Sequence, residues 1–241
     1  MRDGFWHSLK KDALSIVFPN RCPFCGRVIE AQKLYCNLCY RNLPFAPYIL
    51  TPPENVAEFL VCCRYCGIVR KAVLRYKFGN VIYPAEVFAV MMSERMKKMN
   101  VSADIITAVP SSRKSVMNRG FSCAAVIARE ISRITGIPFV KALRAKSGKI
   151  EQKKLSAKQR AENAKHSFCF NKKTSVNGKN VLLVDDVVTT GSTIKETARI
   201  LLENGAAQVI ACVFAKTFSG SCENPHSDKV LKKPKGIPFP R

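Results

Sequence analysis

From about residue 60 onward, segments with helical and strand spacing of apolar positions alternate along the chain. Residues 84–99 repeat apolar positions at helical intervals and predict a helix. Asp104-Ile105-Ile106-Thr107-Ala108-Val109 predicts a strand ending at Pro110. A loop rich in Ser and Arg follows, and then a helix over about 121–135. Phe139 to Leu143 predicts a short strand, and a basic, Gln- and Lys-rich segment runs over 144–166. Val181-Leu182-Leu183-Val184 is a continuous apolar run, as expected of a strand buried on both faces. Residues 192–204 predict a helix closed by Gly205, and Val209 to Phe214 the last strand. This alternation defines an α/β fold built on a parallel sheet.

The ends differ from this middle. Residues 5–18 read as a short amphipathic helix stopped by Pro19. The prolines of Leu43-Pro44-Phe45-Ala46-Pro47 and Thr51-Pro52-Pro53 mark a linker. Residues 218–241, with three prolines after 233 and several lysines, read as a loose basic tail. The expected division is an N-terminal helix and cysteine module over 1–50, an α/β domain over 51–217 and the tail over 218–241. A chain of 241 residues can bury a core without disulfides. No run approaches 18 apolar residues, so no membrane span is expected.

Eleven cysteines change the picture. The apolar run from Ala13 to Phe18 is too short for an export signal, which predicts a reducing, cytoplasmic compartment. Clustered cysteines there suggest a metal. Cys22-Pro23-Phe24-Cys25 and Cys36-Asn37-Leu38-Cys39 are two CxxC knuckles, with Gly26 relieving the first turn. They offer Cys22, Cys25, Cys36 and Cys39 as the four soft ligands of a closed, structural Zn²⁺ site. Cys62, Cys63 and Cys66 lack a partner knuckle; a second site would have to borrow Cys222 or His226, and the plainer reading is small buried side chains. Cys123, Cys169 and Cys212 read as core.

Charge narrows the partners. Forty Lys and Arg stand against 17 Asp and Glu, a net charge of +23, and residues 61–180 contribute +19 of it. Such a block suits nucleic acid, a polyphosphate ligand or an anionic surface, or is simply a solvated face.

The most specific chemistry lies in Val181 to Ile194. A buried strand delivers Asp185 and Asp186 at its carboxyl end, where open α/β sheets bind ligands. A Thr189-Thr190-Gly191-Ser192-Thr193 turn then opens a helix, so backbone N–H groups and hydroxyls surround an anion site. Carboxylates for sugar hydroxyls beside a phosphate cradle describe a site for a phosphorylated sugar. The spacing is not that of a Walker A loop.

This string, Asp185-Asp186-Val187-Val188-Thr189-Thr190-Gly191-Ser192-Thr193, closely resembles the PRPP-binding motif of type I phosphoribosyltransferases. Val109-Pro110-Ser111-Ser112-Arg113 with Arg119-Gly120-Phe121 resembles the pyrophosphate loop of one branch. Gln152, Leu155, Arg160 and Asn163 match that branch's flexible-loop string. With the cysteine ribbon in front, the layout resembles the ComF family of bacterial competence proteins over about 15–217. The departures are Ser122-Cys123 after the Arg-Gly-Phe, a single apparent ribbon, and the tail.

The resemblance implies a type I phosphoribosyltransferase fold. It implies Asp185 and Asp186 on the ribose hydroxyls, Thr189 to Thr193 on the 5-phosphate, and Arg113, Arg119 and the Gly120 amide facing pyrophosphate. Mg²⁺ would come with the PRPP, bridging its oxygens. It also implies a role in DNA uptake and natural transformation, with single-stranded DNA and a competence helicase as partners. Aromatics interleaved with basic residues at Arg64-Tyr65, Arg75-Tyr76-Lys77-Phe78 and Arg119-Gly120-Phe121 could stack bases, although aromatics so placed are more often core. The alternative is a working phosphoribosyltransferase acting on a nucleobase-like acceptor.

Overall fold

The computed structural model describes residues 20–79, 81–146 and 167–219. Strands β1 (Glu58–Arg64), β2 (Ile105–Ala108), β5 (Asn180–Val188) and β6 (Gln208–Lys216) form one parallel sheet, in the order β1-β6-β5-β2. Strands β3 (Leu143–Ala145) and β4 (Phe168–Phe170) form a separate antiparallel pair. The helices are α1 (Asn37–Arg41), α2 (Gly67–Phe78), α3 (Pro84–Lys98), α4 (Arg113–Arg119), α5 (Cys123–Thr135) and α6 (Ser192–Glu203).

The continuous apolar strands are explained by helices on both faces of the sheet. Along β6, Ile210, Cys212 and Phe214 enter a core shared with α2, α3 and α5. Val209, Ala211 and Val213 enter the opposite core, shared with α6. Phe214 stacks on Phe88 at 3.7 Å between ring centroids, and Phe88 meets Tyr76 edge-on at 5.6 Å. The cysteine ribbon joins the first of these cores through Cys22, Phe24, Cys39 and Leu43.

Three sequence expectations need correction. The Ser- and Arg-rich loop contains a helix, α4: the Ser112 hydroxyl accepts the Ser115 N–H at 3.2 Å to start it, and Gly120 at φ +79° ends it. The strand expected over Phe139 to Leu143 reduces to one bridge, Phe139 to Ile106, with regular pairing only from Leu143. There the Thr107 hydroxyl takes the Ala142 N–H at 3.3 Å, so a side chain displaces the strand ladder. The proline-rich stretch after the ribbon is docked along β1. Ala46 N donates to Cys62 O at 3.0 Å and Arg64 N to Pro44 O at 2.7 Å, covering that sheet edge. Arg95 of α3 fixes the same stretch by donating to the carbonyls of Ala46 and Pro47.

Among cysteines expected in the core, Cys123 and Cys212 are buried, but Cys169 on β4 is only half-buried. It belongs to a pair of strands outside the main sheet. The helix expected over 5–18, the flexible-loop residues Gln152, Leu155, Arg160 and Asn163, and residues 220–241 of the tail lie outside the described residues. Among the described residues no helix is long and apolar enough to cross a membrane.

Candidate functional site

Strand β5 runs past the end of β2, whose last partner is Ala108 opposite Val184. The next residues, Asp185 and Asp186, therefore emerge where β2 has turned into the Val109–Arg113 loop. Alternation sends them to opposite faces. Asp186 follows Leu182 and Val184 onto the side of α2 and α5, while Asp185 follows Leu183 towards α6. The Asp185 carboxylate accepts the Asp186 N–H at 2.8 Å.

A side chain that sequence reasoning did not place here completes the pair. Lys77, in the last turn of α2, puts its Nζ 2.7 Å from Asp186 Oδ1, with both side chains largely buried. Burial works against the Lys77 charge, but the Asp186 carboxylate outweighs it and the ammonium is held more firmly than usual. Among the described residues Asp185 has no such ion-pair partner. Burial, then the Asp186 charge, pushes it up to about 8, against the pull of its own hydrogen bond from the Asp186 amide and of the more distant Lys77. The carboxyl edge thus holds one paired carboxylate and one that keeps its proton near neutrality. The only sequence signal for Lys77 was its place in the basic-aromatic string, because its partner lies far along the chain.

After β5 the backbone turns through Gly191 at φ +83°, a left-handed conformation that favours glycine. A Cβ here would also lie 3.4 Å from Pro53 of the docked stretch. Gly191 occupies the N-cap of α6 without a side chain to take the first N–H groups. The Thr190 and Ser192 hydroxyls lie 3.1 Å apart beside that open end. The Ser192 N–H turns back to the Thr190 hydroxyl at 3.5 Å; the next helical N–H groups, the positive end of the helix dipole and the two hydroxyls make a receptor for a phosphate-sized anion.

In the loop after β2, the Ser111 hydroxyl bonds that of Ser122 at 3.0 Å, tying this loop to the start of α5. Ser122 is one of the departures from the family pattern, and this contact gives it a local role. Arg113 is exposed at the start of α4. The Arg119 guanidinium lies 5.4 Å from the Phe78 ring centroid and reaches Cys123 Sγ at 3.5 Å. The Gly120 N–H donates to Val116 O at 2.7 Å, so it closes α4.

The ribbon brings the Sγ atoms of Cys22, Cys25, Cys36 and Cys39 within 4.8 Å of one another. The Cys25–Cys36 separation is 3.8 Å, the S–S spacing of a tetrahedron with Zn–S bonds of about 2.3 Å. The Cys39 N–H points at Cys36 Sγ at 3.4 Å, as a thiolate-binding knuckle does. Hydrogen bonding between Cys39 and Cys22 pushes Cys22 down and Cys39 up, so a thiolate forms readily. The donor set fits a structural Zn²⁺. Cys62 and Cys63 are fully enclosed in β1, and burial pushes the Cys62 thiol up to about 12, which suits packing and not ligation.

The sheet, its doubly acidic strand end and the ribbon place the chain in the type I phosphoribosyltransferase fold class. A phosphoribosyl transferase domain model matches residues 115–239, and a double zinc ribbon domain model matches residues 13–50. The chain belongs to the phosphoribosyl transferase domain family and carries a zinc ribbon match ahead of that domain. The DNA utilization protein YhgH of Escherichia coli O157:H7 is 26% identical over 198 residues, spanning 82% of this chain and 84% of that protein. Competence protein ComFC of Bacillus subtilis (strain 168) is 25% identical over 194 residues, spanning 79% of this chain and 75% of that protein. Among solved structures, glutamine PRPP amidotransferase from B. subtilis aligns with a TM-score of 0.40 at 19% identity, over 57% of this chain and 30% of that one.

Proposed function

We propose that this protein is an accessory factor of DNA uptake in the cytoplasm that binds single-stranded DNA and retains a PRPP pocket, working beside a competence helicase. The observation that carries the pocket is the juxtaposition of Asp185 and Asp186 with the uncapped start of α6. In this reading the carboxylates accept from the ribose hydroxyls. The turn from Thr189 to Thr193 takes the 5-phosphate, and Arg113, Arg119 and the Gly120 amide face the pyrophosphate. Mg²⁺ is part of the ligand and supplies charge neutralisation among the pyrophosphate oxygens. The DNA role is supported by relatives named for DNA utilization and competence, and by the +23 charge.

Calorimetric titration with Mg-PRPP, run beside a salt series of single-stranded DNA binding, tests both halves. Millimolar Mg-PRPP should bind wild type and not the Asp185→Ala, Asp186→Ala variant. No binding to wild type marks the motif as a relic. A salt slope near zero removes nucleic acid from the partners.

A second reading, an active phosphoribosyltransferase, is favoured by the intact carboxylate pair. The C1–O bond of PRPP would break with its electron pair leaving on pyrophosphate. The cationic C1 would be stabilised electrostatically, and an acceptor nitrogen would bond to it and release a proton. Pyrophosphate release that depends on an added nucleobase distinguishes it.

A further inference from the structure

The structure sorts the aromatics that lie among basic residues near the pocket. Tyr76 is fully buried and its hydroxyl donates to Cys123 O at 2.8 Å. Phe121 leans on Tyr76 at 5.5 Å and, half-buried, packs against the core. Both are packing residues. Phe78 is different: 68% of it is exposed, directly after the lysine that grips Asp186. The Arg119 guanidinium lies 5.4 Å from the centre of its ring. The chain then turns sharply at Gly79, where a Cβ would meet Arg75 O at 2.5 Å, and presents Ile82 at 53% and Tyr83 at 38% exposure. On the ribbon side, Arg21 donates to Gly26 O at 3.2 Å, and the Arg75 guanidinium lies 3.6 Å from where a Gly26 Cβ would stand. Arg75 donates to Pro23 O in the first zinc knuckle, and Arg21 is the residue before Cys22.

Exposed Phe78 and Tyr83 therefore flank the bend at Gly79, with half-buried Arg119 beside the Phe78 ring on the pyrophosphate-loop side and half-buried Arg75 and exposed Arg21 at the zinc ribbon. Exposed planar rings with cations between them match the chemistry of an unpaired strand, where bases stack on rings and phosphates meet cations. A folded protein partner would want a contiguous apolar patch with a polar rim. Here the exposed Phe78 ring sits beside a cation instead.

We propose that Phe78 and Tyr83, with Arg119, Arg75 and Arg21, form a base-stacking track for single-stranded nucleic acid that joins the zinc ribbon to the rim of the ribose pocket. This rests on the reading of the protein as a single-strand binder and names the surface that does it.

The test compares binding of an oligothymidine with that of an abasic strand of the same length and charge. Wild type should favour the oligothymidine. Phe78→Ala and Tyr83→Ala should each weaken oligothymidine binding by about fivefold to a hundredfold, the range set by losing one base–ring stack. Both should leave abasic-strand binding and its salt slope unchanged. Phe78→Tyr should retain affinity, whereas Phe78→Leu, apolar but not planar, should lose it. Equal binding of both strands by wild type, or unaltered affinity in both alanine variants, overturns the track while leaving single-strand binding in place. Absence of any strand binding by wild type overturns both. Self-association that depends on Phe78 and Tyr83, with strand binding untouched, would make the surface an interface between copies and overturn the track too.

Discussion

Lys77 Nζ and Asp186 Oδ1 lie 2.7 Å apart at the carboxyl edge of the sheet, and each is the other's main compensation for leaving water. Removing one partner of a largely buried pair is costly, because the remaining charge is stranded. Lys77→Met should therefore lower stability by about 3 kcal/mol. Urea unfolding checks this, and an unchanged midpoint would show that the pair contributes nothing.

Asp185 gives a pH-dependent signature. Its carboxyl is pushed up to about 8 in the folded protein, from 3.8 in an unfolded chain. The unfolded state thus ionises first, and stability falls as pH rises from about 4 to about 8, then levels. Asp185→Asn keeps an oxygen for the Asp186 N–H and removes the titration. Its melting temperature should exceed that of wild type by more at about pH 8 than at about pH 5. A constant difference across that range refutes the assignment.

Cys22→Ser should abolish stoichiometric zinc and unfold the ribbon, since such a site contributes folding energy directly. Metal analysis of the purified variant decides it, and retained zinc excludes the four-cysteine site.

Tyr76→Phe deletes the hydroxyl that donates to Cys123 O at 2.8 Å and leaves a buried carbonyl without that partner. A loss of about 1 to 2 kcal/mol is expected, read by urea unfolding. An unchanged midpoint would show that the bond contributes nothing.

Lys149, Lys153, Lys154 and Lys158 lie in the basic segment outside the described residues. If five or six phosphate contacts hold a single strand, the slope of log K against log salt is about −4. Replacing the four lysines by Gln should flatten it by about two or three if they track DNA, and leave it unchanged if they serve only PRPP.

Much of this was legible in the sequence because it is local. The Val181 to Thr193 string carries strand, carboxylates, turn and helix start in one stretch, and the two knuckles carry their own spacing. Residues 84–99 and 192–204 show helical periodicity that tertiary packing agrees with. What was illegible depends on distant partners. Nothing around Lys77 announces Asp186, and the burial of Tyr76 against the exposure of Phe78 depends on which face of α2 meets the core. The strand expected at Phe139 failed because the Thr107 hydroxyl, from another strand, captured the Ala142 amide. The short α4 was hidden because its start rests on a serine cap and not on an apolar repeat.

Three successive residues of α2 are each claimed by a different part of the molecule: Arg75 by the zinc knuckle, Tyr76 by the start of α5, and Lys77 by Asp186. Successive helical residues point about 100° apart, so this one turn is a three-way joint whose angles are fixed by the helix itself. Inserting or deleting a single residue upstream in α2 would rotate all three arms by about 100° at once and break every joint together. Natural length variation in this protein should therefore collect in the stretch after Gly79, and the interior of α2 should keep its residue count however far its sequence drifts.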